Sequence, residues 1–247
     1  MCIKYGPAVQ LSEAAALRFV AEMTSVPVPK VYSAFQKDRS SYIIMDFIDG
    51  EVIGEGWDKR SEAEKASLFA QLKDMFEELH NIPHPRPGVL ASSDMQSLYD
   101  KRLWKGSHGF GPFANESDFH MFLRCGVHIE DDMIKKETCT WVTDEQKEEM
   151  RQMVICFTHG DASSSNVMVK DGKVVALIDF ELSGFYPEYW EYTTAMNVNR
   201  FDGFWKEEVP KFLKQYPEEL QMEELRRKHF GPGGFQGRYP WDILGCV

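Results

Sequence analysis

Hydrophobic positions along the chain change period several times, and each change predicts an element. The strongest helical signal covers 61–81, where Leu68, Phe69, Leu72, Met75, Phe76 and Leu79 recur on one face with charged residues between them. Ala15, Ala16, Phe19 and Val20 repeat at the same period, so a helix is expected over 12–23, with the Ser12 hydroxyl able to cap it. Val26-Pro27-Val28-Pro29 then forbids further helix, because each proline pushes its predecessor out of the helical region. A short extended start at 3–5 breaks at Gly6-Pro7, and apolar runs at 31–36 and 41–47 predict two strands, the second ending at Asp49-Gly50.

Between 83 and 115 the pattern disappears into prolines, glycines and serines, which predicts a long irregular insertion, more often functional or mobile than core. His84 and His108 in it are weak substrate-side candidates beside the plainer reading as loop histidines. Helical patterns return at 116–136, with Phe119, Phe122 and Leu123, and after Thr143, which can cap the acidic turn Asp144-Glu145-Gln146. Further helices are expected at 187–199, 203–216 and 218–229. The glycine-rich run 231–237 reads as a flexible tail.

Composition narrows the class. At 247 residues, 43% hydrophobic and 27% charged, the chain has the makeup of a globular protein large enough for two lobes. A formal net charge of -11 opposes nonspecific binding to nucleic acid or to an anionic membrane and would suit a cationic substrate, although a solvated acidic surface, Glu130-Asp131-Asp132 included, is the commoner cause. No apolar run reaches the roughly 20 residues a membrane helix needs, and the start of the chain lacks the apolar core of a signal peptide, so a cytoplasmic location is expected. Five scattered cysteines without a Cys-x-x-Cys pair read as reduced thiols, and seven histidines show no metal-ligand spacing.

The chemistry concentrates in 157–184. A polar loop, 159–165, leads into two apolar runs, 167–169 and 174–178, joined by Lys170-Asp171-Gly172-Lys173, and Asp-Gly between such runs predicts a tight hairpin. The hairpin puts Asn166 and Asp179 at the same open end, with Asp161 on the preceding loop. Mg²⁺ takes carboxylates, neutral oxygens and phosphate oxygens, so Asn166 and Asp179 suit a Mg-nucleotide while Asp161 stays free to accept a hydroxyl proton.

His159-x-Asp161, Asn166 five residues on, then a hairpin and Asp179 is the spacing of the kinase catalytic loop and its metal-binding Asp. With His159-Gly160-Asp161 and Asp179-Phe180-Glu181 the chain resembles the aminoglycoside phosphotransferase family, a branch of the protein-kinase-like fold, and Gly184-Phe185-Tyr186-Pro187 looks like its fungal members. The resemblance implies an α+β, bilobal protein-kinase-like fold: a small, truncated, β-rich N-terminal lobe at 1–50 and a larger, mainly helical catalytic lobe at 51–247, with 50–57 linking them. It implies an ATP- and Mg-dependent phosphotransferase acting on a hydroxyl of a small molecule. Asp161 and His159 are then the catalytic-loop residues, and Asn166 and Asp179 the metal ligands and nucleotide contacts.

By the same resemblance Lys4 takes the place of the phosphate-anchoring lysine and Glu13 that of its helix partner. Read alone, Lys4 is a solvated residue and Glu13 a first-turn acid favoured by the helix dipole. Only three residues precede Lys4, whereas kinase-like folds place two strands and a glycine-rich loop there. An exposed edge strand and the alternative of a catalytically weak pseudoenzyme serving as a binding module follow from that. An acyl-transfer hydrolase using 163–165 lacks the Gly-x-Ser-x-Gly elbow. Glu191 is expected to brace the catalytic region.

Overall fold

The computed structural model describes residues 1–103, 109–124, 126, 153–197 and 202–230. Strands β1 (Cys2–Gly6), β2 (Val31–Lys37) and β3 (Ser40–Met45) form an antiparallel sheet in the order β1-β3-β2. Asp38 and Arg39, at φ 48° and 64°, turn β2 into β3 with a backbone that matches the natural twist of paired strands. The register sets Lys4 opposite Ile43, which is fully buried, so the lysine lies on the sheet's inner face. Tyr5, Tyr42 and Phe35 form a stacked row across the other face, with ring centroids 5.7 and 5.2 Å apart. Among the described residues no strand pairs with the outer edge of β1.

Helix α1 (Leu11–Met23) buries Ala14, Ala16, Leu17 and Val20, and Glu13 with them. Ser12 does not cap it. The last extended residue is Gln10, so Ser12 already lies in the first turn, and no side chain caps the helix. The 50–57 segment contains β4 (Glu51–Val52), which pairs with residues 168–169, and Ile53 donates to the Val167 carbonyl at 2.8 Å.

Helix α2 (Glu62–His80) starts in a reciprocal capping box between Ser61 and Glu64. Its stripe packs against β5 (Ile155–Thr158) and β7 (Lys173–Leu177), with Leu68, Leu72 and Leu79 at 0% exposure. Burying a side chain of this size contributes roughly 1.5–3 kcal/mol, so the stripe is the anchor of the larger lobe. β6 (Val167–Lys170) and β7 form the expected hairpin through Asp171 and Gly172, both at positive φ (50° and 73°). β5 pairs with β8 (Gly184–Pro187).

Residues 83–103 and 109–115 are not the irregular, mobile insertion their composition suggests. Leu90 and Phe113 exchange backbone hydrogen bonds, as do Leu98 and Phe110, and Phe185 of β8 donates to Ala91 at 2.7 Å. With those polar groups paired, Leu90, Ala91, Leu98, Leu103 and Phe110 can be buried. A Cβ at Gly184 would lie 2.3 Å from Leu98 and 2.9 Å from the Ala91 carbonyl, so only glycine allows this approach. His84 belongs to the same packing: its Nε2 donates to Val89, its Nδ1 accepts from the Arg86 N–H, and its ring lies 4.1 Å from Phe185.

Helix α3 (Glu116–Leu123) is capped by the Asn115 side chain. The helix expected at 187–199 is shorter, α4 (Trp190–Ala195), because β8 takes the residues up to Pro187. The helix expected at 203–216 is α5 (Trp205–Glu208) followed by a tight turn at Val209–Lys211, where Pro210 has no N–H to continue it. α6 (Pro217–Phe230) completes the described chain. No helix among the described residues is long and apolar enough to cross a membrane. Cys2 and Cys156 are free thiols. His108, the acidic run 130–132, the helix after Thr143, the glycine-rich run 231–237 and Cys125, Cys139 and Cys246 lie outside the described residues.

Candidate active site

The loop between β5 and β6 is gripped along its backbone by side chains from elsewhere. Glu191 of α4, 1% exposed, accepts the N–H groups of His159 (2.7 Å) and Gly160 (3.1 Å). Arg102 donates to the Gly160 carbonyl at 2.8 Å, and the Trp205 indole to the Ala162 carbonyl at 2.9 Å. Asp202 accepts from the Ser164 N–H and hydroxyl at 2.8 and 2.7 Å. Gly160 sits at φ +80°, and a Cβ there would come within 2.5 Å of the Leu182 carbonyl. The loop's shape is therefore imposed by its surroundings, and Glu191 fills the bracing place expected of it.

His159 is 1% exposed and fastened at both ring nitrogens. Its Nε2 donates to the Ile178 carbonyl at 3.0 Å, and its Nδ1 accepts the Asp161 N–H at 3.2 Å, an arrangement that fixes the neutral tautomer. It holds the loop to the end of β7 and has no free nitrogen for a reactant. Asp161 keeps one buried oxygen, Oδ1, without a partner. Burial pushes its carboxyl above the ordinary range, and the Arg102 guanidinium pulls it back.

Asn166 and Asp179 adjoin at the open end of the hairpin, where Ile178, the neighbour of Asp179, donates its N–H to the Asn166 carbonyl at 3.0 Å. The Asn166 amide nitrogen donates to the Asp161 carbonyl at 3.0 Å, while its Oδ1 has only a long 3.5 Å contact from Ser165. Asp179 is partly exposed and has φ +63°, an uncommon backbone for a non-glycine residue. An amide oxygen and a carboxylate, both hard donors with coordination capacity left, fit Mg²⁺.

Lys4 reaches this end from the small sheet. Its ammonium lies 2.7 Å from Glu13 Oε2, 2.7 Å from Asp179 Oδ1 and 4.0 Å from Glu181. Burial disfavours the ammonium, but the two near carboxylates outweigh that and raise its pKa. Glu13, only 1% exposed, is pushed up to about 7 by burial despite Lys4. Oxygens of Glu13, Asp179 and Glu181 all lie within 4.8 Å of one another, and the charge among them here is the lysine's. The structure thus unites Lys4, Glu13 and Asp179, and separately Asp161, His159 and Asn166.

Sequence reasoning missed Glu181, which also pairs with Lys101, and the loop clamps Arg102, Asp202 and Trp205. Glu181 was visible as the third residue of Asp179-Phe180-Glu181. The clamps come from stretches with no pattern of their own.

A family model described as "Phosphotransferase enzyme family" matches residues 7–225. An aminoglycoside 3'-phosphotransferase of Enterococcus faecalis is 25% identical over 187 residues, 72% of this chain and 61% of that protein. The chain thus spans about three fifths of that relative's length. Among solved structures, ADP-bound aminoglycoside phosphotransferase APH(2'')-Ib superposes with a TM-score of 0.55 at 18% identity, covering 96% of this chain and 78% of that one. A thermostable mutant of aminoglycoside phosphotransferase APH(4)-Ia, in a ternary complex with AMP-PNP and hygromycin B, gives 0.53 at 17% identity, covering 92% and 70%. These likenesses show the α+β, protein-kinase-like fold.

Proposed function

The chain belongs to the phosphotransferase enzyme family, and from that premise we propose that it transfers a phosphoryl group from ATP to a hydroxyl of a small molecule, with Mg²⁺ as cofactor. The observation that carries the reading is the meeting of Lys4 with Asp179, 175 residues away, beside Glu13, at the end of the hairpin that also bears Asn166. Relatives act in the same sense: the curated one is named as an aminoglycoside 3'-phosphotransferase, and the similar structures hold ADP, or AMP-PNP with hygromycin B.

In this reading residues 1–50 are the lobe that anchors the nucleotide and 51–247 the catalytic lobe. Lys4, held extended by Glu13, is the phosphate contact. Asn166 and Asp179 would hold Mg²⁺, which when bound neutralises charge on the transferring phosphoryl group. Asp161 orients the acceptor hydroxyl and accepts its proton. His159 holds Asp161 in place through the Asp161 N–H. Because phosphoryl transfer passes through a loose transition state, positioning and electrostatics supply most of the acceleration.

The test is a thermal melt with and without Mg-ATP, with Asp179→Ala as control. Ligand at 100 times its dissociation constant adds about 2.7 kcal/mol, a shift of roughly 5 to 11 °C in a domain of this size. Asp161→Asn should keep that shift and lose transfer to any accepted hydroxyl compound. A shift that survives Asp179→Ala unchanged would remove the metal assignment, and no shift at millimolar Mg-ATP would favour a noncatalytic binding module.

A further inference from the structure

The turn Asp100-Lys101-Arg102, within the segment whose composition suggested a loose insertion, reaches into the catalytic loop. Asp100 is 1% exposed and holds Arg102 by three bonds: Nε to Oδ1 at 2.8 Å, Nη2 to Oδ2 at 2.6 Å, and the Arg102 backbone N–H to Oδ1 at 2.9 Å. That pair would be complete by itself, yet Nη2 makes a further bond, at 2.8 Å, to the carbonyl of Gly160. This carbonyl belongs to the peptide bond that leads directly into Asp161. The Gly160 N–H is held from the other side by Glu191, so the residue before the base is fixed at both polar groups by charged side chains.

Two further observations point the same way. Gly160 sits at φ +80° with the Leu182 carbonyl packed where a Cβ would be, so the peptide that Arg102 grips is enclosed on that side as well. Arg102 Nη1 and Asp161 Oδ1 are both buried and both without a hydrogen-bond partner. The guanidinium and the Asp161 carboxylate interact through charge without an ion-pair contact, so Arg102 acts on the base through the Gly160 peptide as well as through its field.

We propose that Arg102 is a positioning residue for the base: from the 83–115 segment it grips the Gly160 carbonyl and so fixes where Asp161 is held relative to the acceptor hydroxyl. The proposal deepens the phosphotransferase reading and rests on it for the role of Asp161. Misplacing a reacting group by about 1 Å lowers rates on the order of 100-fold. Loss of Arg102 should therefore lower kcat by about that factor and change the KM for ATP much less, since Lys4 and Asp179 make no bond to Arg102 or to the loop it grips.

Arg102→Met alone strands a buried carboxylate and can unfold the chain, so the deciding variant is Asp100→Asn with Arg102→Met, which removes the pair together. Arg102→Lys, which keeps a donor for Gly160, should recover at least about tenfold of the lost kcat. Amide hydrogen exchange supplies a readout independent of turnover: the double variant should exchange at least about tenfold faster in 159–165, with α2 unchanged. A folded double variant with wild-type kcat and wild-type loop exchange overturns the proposal, as does an equal rise in exchange throughout the chain. Should the wild-type protein transfer no phosphoryl group, the phosphotransferase reading fails, and the local exchange pattern still decides whether Arg102 fixes the loop.

Discussion

Replacing Lys4 by Met removes the only cation within 4 Å of Glu13 among the described residues and leaves that carboxyl, 1% exposed, beside two other acids. Breaking a buried pair by removing one partner costs about 3–5 kcal/mol when the remaining charge stays charged. Here protonation limits the cost. Glu13 titrates at about 7 with Lys4 present, and without it the folded-state pKa rises further. Below pH 7 both proteins carry a neutral Glu13, and Lys4→Met loses mainly its bond to Asp179. Above pH 7 the wild-type group ionises while the variant's holds its proton, so the folded variant binds more protons than the folded wild type. The difference in stability then grows by about 1.4 kcal/mol per pH unit up to the variant's own pKa. Urea unfolding at pH 6 and pH 8.5 should show a penalty near 1 kcal/mol at the lower pH, rising by about 2 kcal/mol at the higher. Adding Glu13→Gln should recover most of the alkaline loss without restoring the Mg-ATP shift. A penalty independent of pH, or unaffected by Glu13→Gln, would refute this account of the buried triad.

Three other outcomes are expected. Glu191→Gln turns one of two acceptors into a donor facing a buried N–H, an unsatisfied group worth about 1–3 kcal/mol; melting should fall by several degrees and kcat by more than the KM for ATP rises. Gly160→Ala adds about 1–2 kcal/mol of left-handed strain to about 1–3 kcal/mol for overlap with the Leu182 carbonyl, so chemical denaturation should show a combined loss of about 2–5 kcal/mol. Burial, with Glu188 and Glu219 nearby, pushes Glu116 up to about 8, and its Oε1 has no hydrogen-bond partner. A raised carboxyl favours the fold below its unfolded pKa and loses that contribution as pH rises to about 8, so Glu116→Gln should gain Tm relative to wild type between pH 5 and pH 8.5 and level off above.

What was legible in the sequence was what lies close together along the chain. The hairpin, its Asp171-Gly172 turn and the placing of Asn166 and Asp179 at one end follow from two apolar runs and a turn dipeptide, and the structure joins that end through Ile178 and Asn166. The α2 stripe was equally readable, because an amphipathic helix advertises its buried face in its period. The 83–115 segment was not, since it enters the core through isolated single-residue bridges that have no periodicity, and its fit depends on the missing side chain of Gly184, some seventy positions later in the sequence. Lys4 and Glu13 were assignable by resemblance alone. A lone lysine in a strand carries no signal of the carboxylates it will meet.

The same distinction explains why the chemistry was more visible than its control. Asp161, Asn166 and Asp179 lie in one stretch, but the groups that surround and position them come from β1, α1, the 83–115 segment and α4. Around the site the carboxylates Glu13, Asp100, Asp161, Asp179, Glu181, Glu191 and Asp202 outnumber the cations Lys4, Lys101 and Arg102 by four. Burial answers part of that excess by raising Glu13 to about 7. On the proposed reading the remainder would repel a bare polyphosphate and favour a divalent cation at Asn166 and Asp179. A nucleotide would therefore be held as its magnesium complex or hardly at all, so a thermal shift by ATP that persists in EDTA would contradict this charge balance directly, whatever the acceptor proves to be.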